Sequence, residues 1–235
     1  MVQYFLQGGG FMWPILVLLL FGLGFGIERL ITLFSASINT RKFLGSVRGA
    51  LHNEGYDAAV VVCSKTPGPV AEVFHAGLTR AHRGIDAVEK GIESAGAVEM
   101  AFLEKNMVWL STVITLAPML GFTGTVYGMI QAFDDIKAAN EISPSVVAGG
   151  ISVALLTTLF GLVVAIIIQL IQNFLISRVD KLVVEMEESS VVLLDELAEM
   201  ELAGKLSKAK PAKTAPSKRV TQIHKTKKGS KPQKE

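Results

Sequence analysis

Thr125 and Thr158 each stand near the middle of a long run without charge. A hydroxyl in such a place either bonds a carbonyl one turn back on its own helix or lines a narrow hydrated path. The residues around them are small at helical spacing. Ala117, Gly121, Gly124, Gly128 and Ala132 recur every three or four positions around Thr125, and Gly124 to Gly128 is a GxxxG element. Around Thr158, Gly150 and Ala154 form one small stripe with Thr158 itself, and Thr157, Gly161 and Ala165 form another beside it. Such faces let helix backbones approach closely in lipid, so packing alone accounts for most of these glycines and leaves both readings of the hydroxyls open. Neither run holds an Asp, Glu, Lys, Arg or His. A chain that moves protons normally keeps an ionisable group in the membrane, so if this one conducts them another chain supplies the carrier.

Other chemistry finds little support in the residues. Cys63 is the sole cysteine, which excludes an intramolecular disulfide and reads as a small core residue. His52, His75, His82 and His224 lack the spacing of a zinc site. No nucleophile and base pair, metal cluster or phosphate loop appears, and Gly8-Gly9-Gly10 stands too isolated to count as one, so the expectation is a protein that is not an enzyme and needs no cofactor.

The elements that would hold the two threonines are membrane spans. Half of the 235 residues are hydrophobic and 19% are charged, and the charges are unevenly placed. Three apolar runs exceed the roughly 20 residues needed to cross a bilayer, at 11–34, 106–133 and 144–177. The first carries Glu28 and Arg29 near its inner end, where they can pair or snorkel. No Lys or Arg precedes Ile27 to form a signal-peptide n-region, so this run is expected to be retained. Lys and Arg crowd 35–105 and the residues after 177, whereas 134–143 offers only Lys137 against three acids. The positive-inside rule then places residues 1–10 and 134–143 outside and the rest of the connecting chain in the cytoplasm.

The cytoplasmic segment 35–105 reads as helical, with Phe43, Val47, Ala50 and Leu51 at helical spacing, and Val70, Phe74, Leu78 and Ala81 likewise. Gly55 and Thr66-Pro67-Gly68-Pro69 punctuate it. Val88, Ile92, Ala95, Val98 and Phe102 predict one long helix from near Asp86 directly into the second span. Ser143 and Pro144 suit the N-cap and first turn of the third helix. That helix is expected to extend through 178–203 on the stripe Leu182, Met186, Leu193, Leu197 and Met200. Residues 204–235, rich in Lys, Pro, Ser and Thr, read as a disordered basic tail that could attract anionic lipid or remain solvated. Nucleic-acid binding would need aromatic interleaving that this tail lacks. The fold class is thus all-α, an integral membrane protein with three transmembrane helices, two of them extended into the cytoplasm as a helical bundle.

At Ala117-Pro118-Met119-Leu120-Gly121-Phe122-Thr123-Gly124-Thr125-Val126-Tyr127-Gly128-Met129-Ile130, with Phe133 following, the sequence resembles the APLLGLLGTVWGMI signature of the MotA/TolQ/ExbB proton-channel family. Gly150-Ile151-Ser152-Val153-Ala154-Leu155-Leu156-Thr157-Thr158-Leu159-Phe160-Gly161-Leu162 is similar to the GIAEALLATAIGL element of ExbB and TolQ. Weaker likeness, including Pro69-Val70-Ala71 and Glu93, Glu99 and Glu104, extends the match from about residue 10 to 200.

The resemblance implies a pentameric ring in the bacterial inner membrane. It would enclose a dimer of single-pass partners of the ExbD, TolR or MotB type, whose membrane aspartate carries the ion. It also implies that Thr125 and Thr158 line the ion path, with Ala117, Gly121, Gly124, Gly128, Gly150, Ala154, Gly161 and Ala165 packing the helices and lining the pore. Val153 stands where ExbB and TolQ have a glutamate, a departure shared with MotA-type members that leaves proton and sodium coupling both open. One span before the cytoplasmic segment, rather than two, favours ExbB-like and TolQ-like readings over MotA. The ExbB-like reading, energising outer-membrane transport through a TonB-like protein, is preferred over envelope integrity. Rival readings are an autonomous channel, against which the absence of repeated halves and interrupted helices speaks, and a membrane scaffold that recruits partners through its tail.

Overall fold

The computed structural model describes residues 2–37, 40–139 and 144–202, and these are 92% helical with no strand among them. Eight α-helices follow in order: α1 Val2–Gln7, α2 Met12–Ala36, α3 Thr40–Glu54, α4 Tyr56–Lys65, α5 Pro69–Leu78, α6 Ile85–Leu103, α7 Met107–Ala139 and α8 Pro144–Leu202, with a 3-10 turn at Ala81–Arg83. Ser143 and the basic tail lie outside the described residues. The chain divides into two compact units. One holds the residues up to Phe34 with Glu104–Val179, and the other holds Ser35–Leu103 with α8 from Asp180 onward.

Three helices are long and apolar enough to cross a membrane, and all three contribute to the first unit. α2 has 25 residues, α7 has 33 and α8 has 59, so α8 alone runs about 90 Å. Within this unit the charges of α2 are paired. Arg29, 2% exposed, donates from Nε and Nη2 to the two carboxylate oxygens of Glu28 at 2.8 and 2.9 Å. That pairing offsets part of what desolvating a guanidinium costs. At the other end of the apolar run of α8, the Arg178 guanidinium lies over the rings of Phe34 and Phe174, 5.1 and 5.3 Å from their centroids.

The expected continuous helix from Asp86 into the second span is broken. α6 stops at Leu103 and α7 starts at Met107, with Asn106 between them at φ 65°. Asn tolerates this left-handed conformation better than most residues. Its side-chain amide donates to Glu28 at 3.4 Å, so the break is fastened to α2. The buried seam of α6 also differs from expectation. Val88 and Ile92 are buried, but Val98 is 63% exposed and the seam continues through Glu99 and Leu103. A step of seven residues from Ile92 to Glu99 keeps one face of a 3.6-residue helix, whereas the step to Val98 rotates off it.

In the second unit, Phe43, Val47 and Leu51 of α3 are buried, as are Val70, Phe74 and Leu78 of α5. The Phe43 and Phe74 rings meet at 5.5 Å. Leu182, Met186, Leu193 and Leu197 of α8 are buried at the predicted spacing. Gly55 at φ 88° and Gly68 at φ 129° supply the turns before α4 and α5, in conformations that disfavour a side chain. Cys63 is buried, and burial pushes its thiol up to about 12.

Candidate functional site: the seam between α7 and α8

α7 and α8 approach along their small residues. Ala117, Gly121, Gly124, Gly128 and Ala132 on α7, and Ala154, Thr157, Gly161 and Ala165 on α8, are all buried. A methyl added at Gly121 would lie 2.9 Å from the Thr157 carbonyl oxygen, and one at Gly161 would lie 2.5 Å from the Ala117 carbonyl oxygen. At Gly124 it would meet the Thr157 hydroxyl at 2.7 Å, at Gly128 the Ala154 methyl at 3.2 Å, and at Gly150 it would collide with the Ala132 methyl. The backbones are therefore as close as glycine permits. Pro118 sits inside α7, where it removes one helical hydrogen bond.

Thr125 and Thr158 sit together at the edge of this seam, half-buried. Their hydroxyls are hydrogen-bonded to each other. Thr125 Oγ1 also reaches the carbonyl oxygens of Ala154 at 3.0 Å and Gly121 at 3.3 Å, while Thr158 Oγ1 reaches that of Gly121 at 3.1 Å. Both residues predicted from sequence thus meet across the two helices rather than bonding only their own. The pair can exchange which oxygen donates, because each hydroxyl is both donor and acceptor.

Val153 is not part of this pair. Its Cγ1 lies 3.6 Å from where a methyl on Gly9 would stand, so it faces the turn before α2. A third hydroxyl, on Thr157, is read from the sequence only as part of a small packing stripe. Thr157, 1% exposed, donates from Oγ1 to Ala154 O at 2.8 Å and lies 3.3 Å from Gly121 O. Its signal was its place beside Thr158, opposite Gly124, whose missing side chain makes room for it. A second polar bridge also escaped: Gln172 Nε2 donates to Ser111 Oγ at 2.7 Å. The amide cluster Gln169, Gln172 and Asn173 in an apolar run, opposite the single serine of α7, could have suggested it.

These features define a helical membrane protein whose second and third spans meet through a glycine-rich seam with hydroxyls at its edge. Comparison with known proteins places it more closely: residues 65–188 match the MotA/TolQ/ExbB proton channel family, and the chain belongs to that family. A biopolymer transport protein ExbB homologue of Methanothermobacter thermautotrophicus is 29% identical over 180 residues, covering 76% of this chain and 64% of the relative. The Tol-Pal system protein TolQ of Haemophilus influenzae is 37% identical over 82 residues, 35% of this chain and 36% of that protein. The biopolymer transport protein ExbB of Xanthomonas campestris pv. campestris is 38% identical over 79 residues, 34% and 31% of the two chains. The matched stretch thus covers less than two thirds of each of these relatives.

Proposed function

We propose that this chain is the ring-forming subunit of a motor driven by ion motive force, most simply protons, in the bacterial inner membrane. The ring is a homo-oligomer, a pentamer by family resemblance, and surrounds the membrane helices of an ExbD-like or TolR-like partner dimer. The partner's membrane aspartate carries the ion, and Thr125 and Thr158 line its route. The N-terminus faces the periplasm and the C-terminus the cytoplasm. The output is energised transport across the outer membrane through a TonB-like protein.

The observation that carries this reading is the hydroxyl pair of Thr125 and Thr158, held on the Gly121 and Ala154 carbonyls in apolar runs that contain no Asp, Glu, Lys, Arg or His. Such a pair can pass polarity to a carboxylate brought by another helix without holding charge itself. The existence of TolQ relatives supports a second reading, in which the same motor serves envelope integrity instead. Co-expression with an ExbD-like or TolR-like single-pass partner, followed by reconstitution, tests the proposal. Proton flux should require both chains and should vanish when the partner's membrane aspartate becomes asparagine. Substantial flux through this chain alone would favour an autonomous channel and overturn it.

A further inference from the structure

The cytoplasmic stretch of α8 carries two faces of different character. Leu182, Met186, Leu193 and Leu197 are buried on one side. On the other, Val184, Val191 and Val192 are 49, 58 and 40% exposed, interleaved with exposed Glu187, Glu188, Asp195 and Glu199. Positions 184, 188, 191, 195 and 199 follow one another at steps of three and four, so acid and valine share a single stripe. Its edge at Val192 continues into a cavity of about 250 Å³ lined by the apolar Val47, Phe74 and Leu193 and by the charged Arg41, Arg48 and Glu196.

The stripe's charge is only partly balanced among the described residues: Arg48 and His52 of α3 line one hollow with Asp195, Glu196 and Glu199, and the acids still outnumber them. From Asp180 onward α8 has eight acids and one base, Lys181. Lys181 pairs with Glu185 and Arg48 pairs with Glu196, but Glu187, Glu188, Asp195 and Glu199 have no ion pair among the described residues. Asp195 and Glu199 are four residues apart on the same face, a spacing at which like charges destabilise a helix. A cationic occupant with a few apolar side chains would relieve that repulsion and cover the valines.

The chain itself contains such a segment. Residues 203–235 hold eleven Lys or Arg and one acid, Glu235. Within them, Val220 and Ile223 are the two β-branched aliphatic residues, flanked by Lys218, Arg219 and Lys225. Reaching back from Leu202 to Val192 requires about 15 Å along the helix, and the residues between 202 and 218 span up to about 50 Å when extended. We infer that the basic segment 218–225 docks on the acid and valine face of α8 in its own chain, with Val220 and Ile223 against Val191 and Val192. The docking is electrostatically steered and therefore weakened by salt. It would occupy the lysines that would otherwise meet anionic lipid. The contact is independent of the ion path.

The test uses the full-length protein in nanodiscs of neutral phosphatidylcholine. With Cys63→Ala removing the native thiol, Val220→Cys is combined either with Val191→Cys on the stripe or with Lys90→Cys, exposed on α6. A short bismaleimide should cross-link the Val191 pair several-fold faster than the Lys90 pair. The excess should disappear in 1 M salt, where the Debye length is about 3 Å, and in the Glu188→Lys/Asp195→Lys variant. Native mass and helicity should stay unchanged in that variant, which separates lost docking from lost folding. Equal rates for the two pairs, or a Val191 excess indifferent to charge reversal, would overturn the inference. Equal cross-linking together with flotation of the tail only on phosphatidylglycerol vesicles would assign the tail to the membrane surface instead.

Discussion

At the edge of the α7 and α8 seam the O–H protons of Thr125 and Thr158 face the carbonyl oxygens of Gly121 and Ala154, which they share with the Thr157 hydroxyl, and each other's oxygens. Each of these hydroxyls has more than one acceptor within reach, so the proton positions have more than one satisfactory arrangement. Thr→Val at either position keeps shape and removes the hydroxyl. In a strain lacking any paralogous subunit, Thr125→Val and Thr158→Val should keep assembly and partner binding. Ion-driven activity should fall by about tenfold or more, the equivalent of one lost hydrogen bond of about 1.4 kcal/mol. Normal activity in the double variant would leave these hydroxyls as packing groups. Elsewhere, the Tyr56 hydroxyl is buried without a hydrogen-bond partner among the described residues, and burial raises its pKa. Tyr56→Phe removes an unpaired polar atom and should stabilise the protein by about 1 kcal/mol, read as a raised midpoint in thermal unfolding. Cys63 behaves similarly: its thiol is pushed from 9.0 to about 12 by burial, so the unfolded chain ionises first. Its contribution is fully present below pH 9 and is lost as pH rises towards 12. At neutral pH it should label with maleimide only after denaturation, and rapid labelling of the native protein would contradict this burial.

At the scale of elements, the spans and their small faces were legible because period and composition are local properties. The meeting of Thr125 with Thr158 was not fixed by either run, since it depends on the register between two antiparallel helices. The carbonyl of Gly121 serves both hydroxyls only because glycine lets α8 come close enough. The break at Asn106 was missed for a related reason. Glu104, Lys105 and Asn106 are each compatible with helix, and only the contact to Glu28 reveals why the chain stops there. Asn106→Gly should be tolerated, because glycine adopts φ 65° freely. Asn106→Ile should cost about 1–2 kcal/mol, measurable as a lowered thermal midpoint in detergent. The seam of α6 failed at one step, where Val98 suggested burial by hydrophobicity and periodicity chose Glu99. Hydrophobic type alone misleads when one residue out of phase can remain exposed, here in a helix whose other apolar positions suffice to bury it.

For the whole molecule, large apolar groups remain exposed on the membrane helices, among them Phe122, Phe133, Leu155 and Leu170 at 63 to 66%. Lipid, further copies of the chain and partner helices are all suited to cover them. We predict a homo-oligomer, with native mass spectrometry in mild detergent as the check. Monomer alone under several extraction conditions would count against the ring. Deleting residues 205–235 should leave that oligomer intact, because the buried apolar stripe of α8 ends before the deletion. Only properties of the tail's own contacts should change.

The seam also restricts how this family member can drift. When the nearest atom opposing a glycine belongs to a side chain, a partner substitution can make room: Gly150 faces the Ala132 methyl first, so Ala132→Gly relieves the worst of the clash of an alanine at 150, leaving backbone atoms at 3.2 Å. Gly121 and Gly161 face the carbonyl oxygens of Thr157 and Ala117, which no codon change removes. Among orthologues the first kind of position should covary with its neighbour, while the second should stay fixed with no correlated partner. Absence of coevolution there would mark the tightest contact in the protein rather than the weakest.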